Sequence, residues 1–383
     1  MLSAILGTVA VVSAGINIWQ WIAAGRFPLH RREGMNTPSG SLAVPRDGVT
    51  LLKPVKGADD ETRACLESWF TQDYRGPMQI LFGVADANDP VCAVVRDLQK
   101  QHPDCDVQLV ICDPILGANA KVSTLTYLEK NARHPFWIIS DADVFAPRDL
   151  LSEIISKFTA ADVALVNCFY KLPPAGSVAM IWENIGVNAD FWSQVCQSNS
   201  LKPMNFALGA VMGVRREAIE TIGGFKALLN QLADDYQLGK RLADSGKRIE
   251  LCNVVVECRE PAKKFADVWK HQLRWARTIR VCQPEPYFAS VLSNTTVWVI
   301  YWMAFSPDSM LAPLCLIIRT FTAMHNEFRL TRRITEALES IFTFAKDLLQ
   351  FVVWLCAFAG NSVVWRGERF LVKRGGELVR IQG

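Results

Sequence analysis

Residues 2–24 are free of charge and long enough to cross a bilayer as one helix. Basic residues follow it rather than precede it: Arg26, His30, Arg31 and Arg32. A secretory signal would carry its positive charge before the apolar run. The bias of basic residues toward the cytosol therefore puts the N-terminus outside and the following domain in the cytosol. Residues 26–47 are polar, bear Gly and Pro, and read as a linker. From 48 to about 282 the pattern becomes short apolar runs alternating with amphipathic stretches. Residues 49–52, 80–84, 107–111 and 136–139 read as strands. Residues 60–70 and 91–101 read as helices, the first with Leu66, Trp69 and Phe70 on one face. Such alternation predicts a mostly parallel α/β sheet. Ligands of these sheets sit at the carboxyl ends of the strands, where Asp86 and Asp141 fall.

After Pro286 long apolar runs return. Residues 287–305 are uncharged, Ser306-Pro307-Asp308 reads as a turn, and 311–324 is apolar except for Arg319. This predicts a helical hairpin that returns Arg329, Arg332 and Arg333 to the cytosolic side. A last apolar stretch, 342–359, is interrupted by Lys346 and Asp347 and precedes a basic tail (Arg366, Arg369, Lys373, Arg374, Arg380). It is expected to be interfacial or re-entrant. The predicted organisation is a membrane helix at 1–25, a linker at 26–47, a catalytic domain at 48–285 and a membrane-associated region at 286–383.

Composition narrows the class. Half of the 383 residues are hydrophobic but 21% are charged, too many for an all-membrane bundle. A net charge of +3 gives nucleic-acid binding no support. The 11 cysteines show no CxxC and no Cys/His metal spacing, as expected of reduced thiols.

Candidate chemistry lies in acidic and aromatic landmarks. Asp141-Ala142-Asp143 ends a buried strand, and alternate residues of an extended turn send two carboxylates to one side. Together they suit a hard divalent cation bridging phosphates; the plainer alternative is a cap for the next helix. In Asp86-Ala87-Asn88-Asp89-Pro90, Asp89 is expected to cap the helix from Val91 and Asp86 to face a nucleotide. Lys53, in Lys53-Pro54-Val55-Lys56-Gly57, either lines the same pocket or belongs to a solvated loop. Lys121 precedes a helix, where it approaches phosphate or is merely solvated. Asp234-Asp235 opens the helical stretch 236–243. One acid is expected to serve the helix terminus and the other, Asp235, to act as general base. His271, Arg274 and Trp275 share a face of an amphipathic helix beginning near Lys263. Arg274 suits a diphosphate and Trp275 one wall of an acceptor site. The same helix, with Lys263, Lys264, Lys270, Arg277 and Arg280, also suits anionic lipid.

In this order, between hydrophobic segments, these residues resemble the ceramide glucosyltransferase family and the related bacterial hopanoid glycosyltransferases. The resemblance runs from Leu2 to at least Tyr287. The family's acidic motifs match Asp86, Asp141 and Asp235, with Asp143 completing a DxD. Its final (Gln/Arg)xxRW motif matches Arg274 and Trp275, but His271 stands where Gln or Arg is usual. The resemblance implies a nucleotide-sugar-binding α/β domain of glycosyltransferase A type with N- and C-terminal membrane helices. It implies an inverting enzyme that moves a hexose from a UDP-sugar to the hydroxyl of a membrane lipid, using Mg²⁺ or Mn²⁺. Lys53, Asp86, Asp141, Arg274 and Trp275 would bind the donor, and Asp141 and Asp143 the metal. Asp235 would be the base, with Asp234, His271 and Lys121 as further candidates. The alternatives are transfer of another sugar such as N-acetylglucosamine to a hopanoid or other lipid, a processive polysaccharide synthase, and an inactive membrane scaffold. A synthase would typically carry more membrane helices.

Overall fold

The computed structural model describes residues 1–32, 47–365 and 368–381. Most of the expected linker, 33–46, lies outside the described residues, as does Arg366 of the basic tail. The chain forms two compact units, each built from separated segments. One comprises Leu29–Pro173 and Pro203–Pro261, the other Met1–Pro28, Pro174–Lys202 and Ala262–Gly383. This departs from a continuous catalytic domain over 48–285, because 174–202 and 262–285 cluster with the apolar helices. Met180 and Trp182 from the first of these segments pack with Val268, Ala276, Tyr287, Val353 and Ala357.

The first unit is built on an eight-stranded sheet. Its strands are β1 (Val49–Pro54), β2 (Met78–Val84), β3 (Asp106–Ile111), β4 (Phe136–Ser140), β5 (Val144–Phe145), β6 (Val163–Lys171), β7 (Val211–Arg215) and β8 (Arg248–Cys258). They lie in the order β3-β2-β1-β4-β7-β6-β8-β5. The expected parallel arrangement holds from β3 to β4. β7 then enters antiparallel between β4 and β6, so the sheet is mixed. β1 and β4 are buried along their whole length, as strands covered on both faces are. The helix Val91–Gln101 has the bounds its pattern predicts. Thr62–Glu67 is shorter than expected: Asp59 accepts from Thr62 N–H at its start, and Ser68 ends it by accepting from Ala146 N–H.

In the second unit, Leu2–Arg26 is one helix. Ala10 and Ala14 give it a small-residue face against Val299, Trp302, Ala312 and Cys315, the packing that lets membrane helices approach closely. Asn17 Nδ2 donates to Thr295 Oγ1 at 2.9 Å and to the Ser293 carbonyl at 3.1 Å. Among the described residues two helical runs, Leu2–Arg26 and Ile334–Phe358, are long and apolar enough to cross a membrane; a third span results if Pro284–Ser293 and Thr295–Phe305, bent by 53°, count as one. The helix Leu311–Thr331, expected as the returning arm of a hairpin, carries Arg319, Glu327 and Arg329.

Residues 342–358 of the expected interfacial stretch belong to the helical run Ile334–Phe358. Lys346 and Asp347 do not interrupt its apolar surface because both are buried. Lys346 bonds Asp347 at 2.8 Å and also bonds Asp190. Arg319 bonds Asp190 at 2.8 and 2.9 Å and Asp347 at 2.9 and 3.0 Å. The basic tail is likewise not a tail. Ser362–Trp365, Glu368–Val372 and Leu378–Arg380 form an antiparallel sheet.

The helix Asp234–Asp244 is seated by a close backbone approach in the first unit. A Cβ on Gly239 would lie 2.3 Å from Ala207 N and 2.4 Å from the Phe206 carbonyl carbon. Those partners are main chain and cannot rotate away. Gly239→Ala should therefore lift this helix and lower stability by about 1–3 kcal/mol, the usual cost of overpacking. Thermal unfolding of the variant measures this; a midpoint equal to the parent's would show that the helix can slide without penalty.

Candidate active site

The carboxyl ends of β1, β2 and β4 are adjacent in the parallel half of the sheet. Asp86 follows β2 by two residues and is exposed. Its Oδ1 accepts from the Asn88 N–H at 2.9 Å, closing a tight turn. Asp89 accepts from Val91 N–H at 3.0 Å, the expected service to the next helix. It also accepts from Gly57 N–H at 2.9 Å, which ties the loop after β1 to the loop after β2.

Asp141 lies directly after β4, its N–H bonded to the Ala210 carbonyl at 3.1 Å. The turn is supported from within by Lys53. Expected to contact nucleotide, Lys53 is instead 0% exposed. Its Nζ donates to Ser140 Oγ at 3.1 Å and to the Asp141 carbonyl at 2.5 Å, and lies 5.3 Å from the Trp69 ring centre. Burial pulls the Lys53 ammonium down to about 8, against the opposing charges of Asp143 and Asp141. Lys53 thus acts on the acidic turn from the strand interior. Asp143 experiences the complementary field. Burial, then Asp141 and Glu260, push its carboxyl up to about 7, with Lys53 offsetting part of the rise.

Lys121 joins this turn to the second acidic motif. The helix Ala120–Asn131 is capped by Asn119, whose Oδ1 accepts from Val122 N–H. The cap places Lys121 in the first turn, with its Nζ 2.6 Å from Asp141 Oδ1 and 3.5 Å from Asp234 Oδ2. Burial works against this ammonium, but Asp141 and Asp234 outweigh it and hold its pKa far above the ordinary lysine value. The expected approach of Lys121 to phosphate is, in this arrangement, a bridge between two carboxylates.

Asp234 and Asp235 divide their work differently from the expected division between cap and base. Ala233 holds the N-cap position with no side-chain bond. Asp234 turns sideways and is buried; its Oδ1 accepts from Asn119 Nδ2 at 3.3 Å. Asp235 accepts from the Tyr236 N–H at 2.7 Å. Its carboxylate lies against Gly209, where a Cβ would come within 2.7 Å of Oδ2. Burial first, and Asp234 next, raise Asp235 to about 6, Lys121 opposing them. A carboxylate with a raised pKa accepts a proton more readily, as a general base requires. Asn119, Gly209 and Glu260 were not singled out from the sequence; of the three, only Asn119, directly before a helix, has a local signal.

Asp141 and Asp143 offer carboxylate oxygens of the kind a hard cation takes, and Asp143 is raised chiefly by its burial. Among the described residues no group of three or more His, Cys, Asp or Glu side chains is gathered as a metal cage. A cation here would complete its shell with phosphate or water oxygens, the usual habit of Mg²⁺.

In the second unit, His271, Arg274 and Trp275 lie on the helix Phe265–Cys282. The His271 and Trp275 rings are 4.6 Å apart. Gln272, between them in sequence, faces inward and is buried.

The family model described as glycosyl transferase family 21 matches residues 5–378. Ceramide glucosyltransferase 1 of Caenorhabditis elegans is 21% identical over 356 residues, covering 86% of this chain and 73% of its own length. Ceramide glucosyltransferase 3 of the same organism is 25% identical over 346 residues, covering 87% and 74%. Among solved structures, a mannosyltransferase of Pyrobaculum calidifontis, in complex with GDP-Man and Mn²⁺, superposes with a TM-score of 0.54 at 18% identity. It covers 91% of this chain and 99% of its own. That similarity shows a shared fold, the glycosyltransferase A-type architecture.

Proposed function

Since this chain belongs to glycosyl transferase family 21 and is a glycosyltransferase, we propose that it transfers a hexose from a UDP-sugar to the hydroxyl of a membrane lipid, with inversion. The observation that carries this reading is the gathering of Asp141 and Asp234 around Lys121, beside an Asp235 raised to about 6. One motif suits the donor diphosphate and the next supplies a base, and one ammonium fastens them together. The named relatives make ceramide and UDP-glucose the first pair to test.

In this mechanism Asp86 contacts the nucleotide. Lys53 holds the Asp141 turn from below. Asp141 and Asp143 would hold Mg²⁺ or Mn²⁺, which would supply neutralising charge at the diphosphate. Asp235 takes the proton of the lipid hydroxyl as its oxygen bonds to the anomeric carbon. The bond from that carbon to the diphosphate oxygen breaks on the opposite face, and UDP departs. Arg274 offsets the charge on the leaving diphosphate. Asp234 and Lys121 fix the geometry around the base. The basic residues after Leu2–Arg26 favour a cytosolic catalytic unit, where nucleotide sugars are supplied to it.

Transfer should disappear in EDTA and return with Mg²⁺ or Mn²⁺; full activity in chelator would remove the cation from Asp141 and Asp143. Asp235→Asn should lower turnover by about 10²–10⁴ while preserving donor affinity, the usual cost of losing a general base. In the parent, kcat/KM should fall as pH drops through about 6, because Asp235 protonates there. Asp234→Asn should cost less turnover and more thermal stability. If Asp235→Asn turns over like the parent while Asp234→Asn is dead, the base is misassigned by one residue. For topology, the partly exposed Cys105 should escape an impermeant maleimide in intact cells and react after permeabilisation, read by peptide mass. Reaction in intact cells would place the catalytic unit outside.

A further inference from the structure

We propose that the small C-terminal sheet is a membrane-docking surface, whose outer face rests on a bilayer bearing anionic phospholipid headgroups. Its strands are β9 (Ser362–Trp365), β10 (Glu368–Val372) and β11 (Leu378–Arg380), antiparallel with β10 in the middle. Residues directly opposite one another point to the same face, so the register sorts the side chains. Phe370 lies opposite Val363, and Val372 opposite Leu378; all four are buried. Leu371 lies between Val379 and Ser362, and Arg369 lies opposite Val364. Ile381 extends this second row, its N–H bonded to the Arg369 carbonyl at 3.0 Å. On the second face Val364, Leu371 and Ile381 are 56%, 40% and 41% exposed. A sheet with one wet face normally turns polar side chains to it. Here both faces are apolar, and only one is covered.

The sheet is fixed in place by the helix Phe265–Cys282, which belongs to the same unit. Arg277 donates to the Ser362 carbonyl, and the Gly375 N–H donates to the Val281 carbonyl at 3.3 Å. Arg280 donates to the Gly360 carbonyl at 3.2 Å, and its guanidinium lies 5.5 Å from the centre of the Phe358 ring. These bonds hold both the sheet and the short link that leads into it.

Two observations name a bilayer as the occupant. The first is the tether. Leu348, Val352, Leu355 and Phe358 expose one apolar stripe along the run Ile334–Phe358, up to its last residue. β9 begins four residues after Phe358, a reach of at most about 14 Å even when fully extended. A helix that gives this stripe to lipid therefore keeps the sheet at the membrane surface. The second is charge. Glu377 answers Lys373 at 3.8 Å, and Glu368 answers Arg380. Arg369 on the exposed face and Arg374 in the turn beyond it have no acidic partner among the described residues. Apolar side chains beside such cations suit the interfacial layer, where the first enter the acyl boundary and the second meet phosphate. A two-fold contact between copies of this face would instead set cation against cation.

Photocrosslinking on the full chain in lipid nanodiscs tests this. A benzophenone amino acid replaces Leu371, and the nanodiscs contain phosphatidylcholine with or without phosphatidylserine. After irradiation, peptide masses should show a lipid adduct at position 371, with a higher yield on phosphatidylserine. R369E should lower that preference by about fivefold, the worth of one basic residue near an anionic surface, while leaving the thermal midpoint unchanged because Arg369 is exposed. A crosslinked dimer in place of the lipid adduct would assign the face to a second copy and overturn the proposal. Adducts confined to the chain itself, or no adduct, would overturn it as well. Equal lipid yields with and without phosphatidylserine would overturn the assignment to anionic headgroups.

Discussion

Everything proposed for the catalytic unit depends on the Lys121 ammonium, 2.6 Å from Asp141 and 3.5 Å from Asp234. The carboxylates come from opposite ends of the fold's logic, one from the end of a central strand and the other from a helix start almost a hundred residues later. Left alone they would repel each other and widen the site. Two unit charges a few ångströms apart in a half-buried setting interact by about 4 kcal/mol at an effective dielectric of 20. That is comparable with the stability of a whole domain. The lysine turns this repulsion into a joint and leaves Asp235, one residue along the chain, with its carboxylate against Gly209.

A second lysine works on the same turn from the other side. Lys53 lies inside the sheet and holds the backbone carbonyl of Asp141, whereas Lys121 holds its carboxylate. The turn is thus gripped by main chain and side chain at once. Such double support pre-organises a binding group, so that little rearrangement is required when charge arrives. Asp143, two residues further on, is raised to about 7 chiefly by burial, with Lys53 offsetting part of the rise.

Much of this was legible in the sequence, for local reasons. β1, β2 and β4 are uninterrupted apolar runs ending in Lys53-Pro54, Asp86 and Asp141, and the run itself reports burial on both faces. The helix Val91–Gln101 announces both its ends. What escaped depends on partners far along the chain. A lysine before a proline at a strand end reads as lining the nucleotide pocket or as part of a solvated loop; only the fold reveals that Ser140 and Asp141 receive it inside. The acids at 234 and 235 read as candidates for a helix cap, because the side-chain amide of Asn119 cannot be anticipated from their neighbourhood. Gly209 has no pattern at all, and matters for its missing side chain.

The ion network of Asp190, Arg319, Lys346 and Asp347 has a consequence for how the chain is assembled. Asp190 is synthesised more than a hundred residues before either cation that balances it. Until Arg319 and Lys346 emerge it must be kept in water or held by other machinery, because a lone charge is costly in an apolar setting. The segment bearing it also falls between the two halves of the catalytic sheet, ahead of β7 and β8. A ribosome that stalls before residue 319 therefore releases a product whose sheet can close but whose anchor retains an unanswered anion.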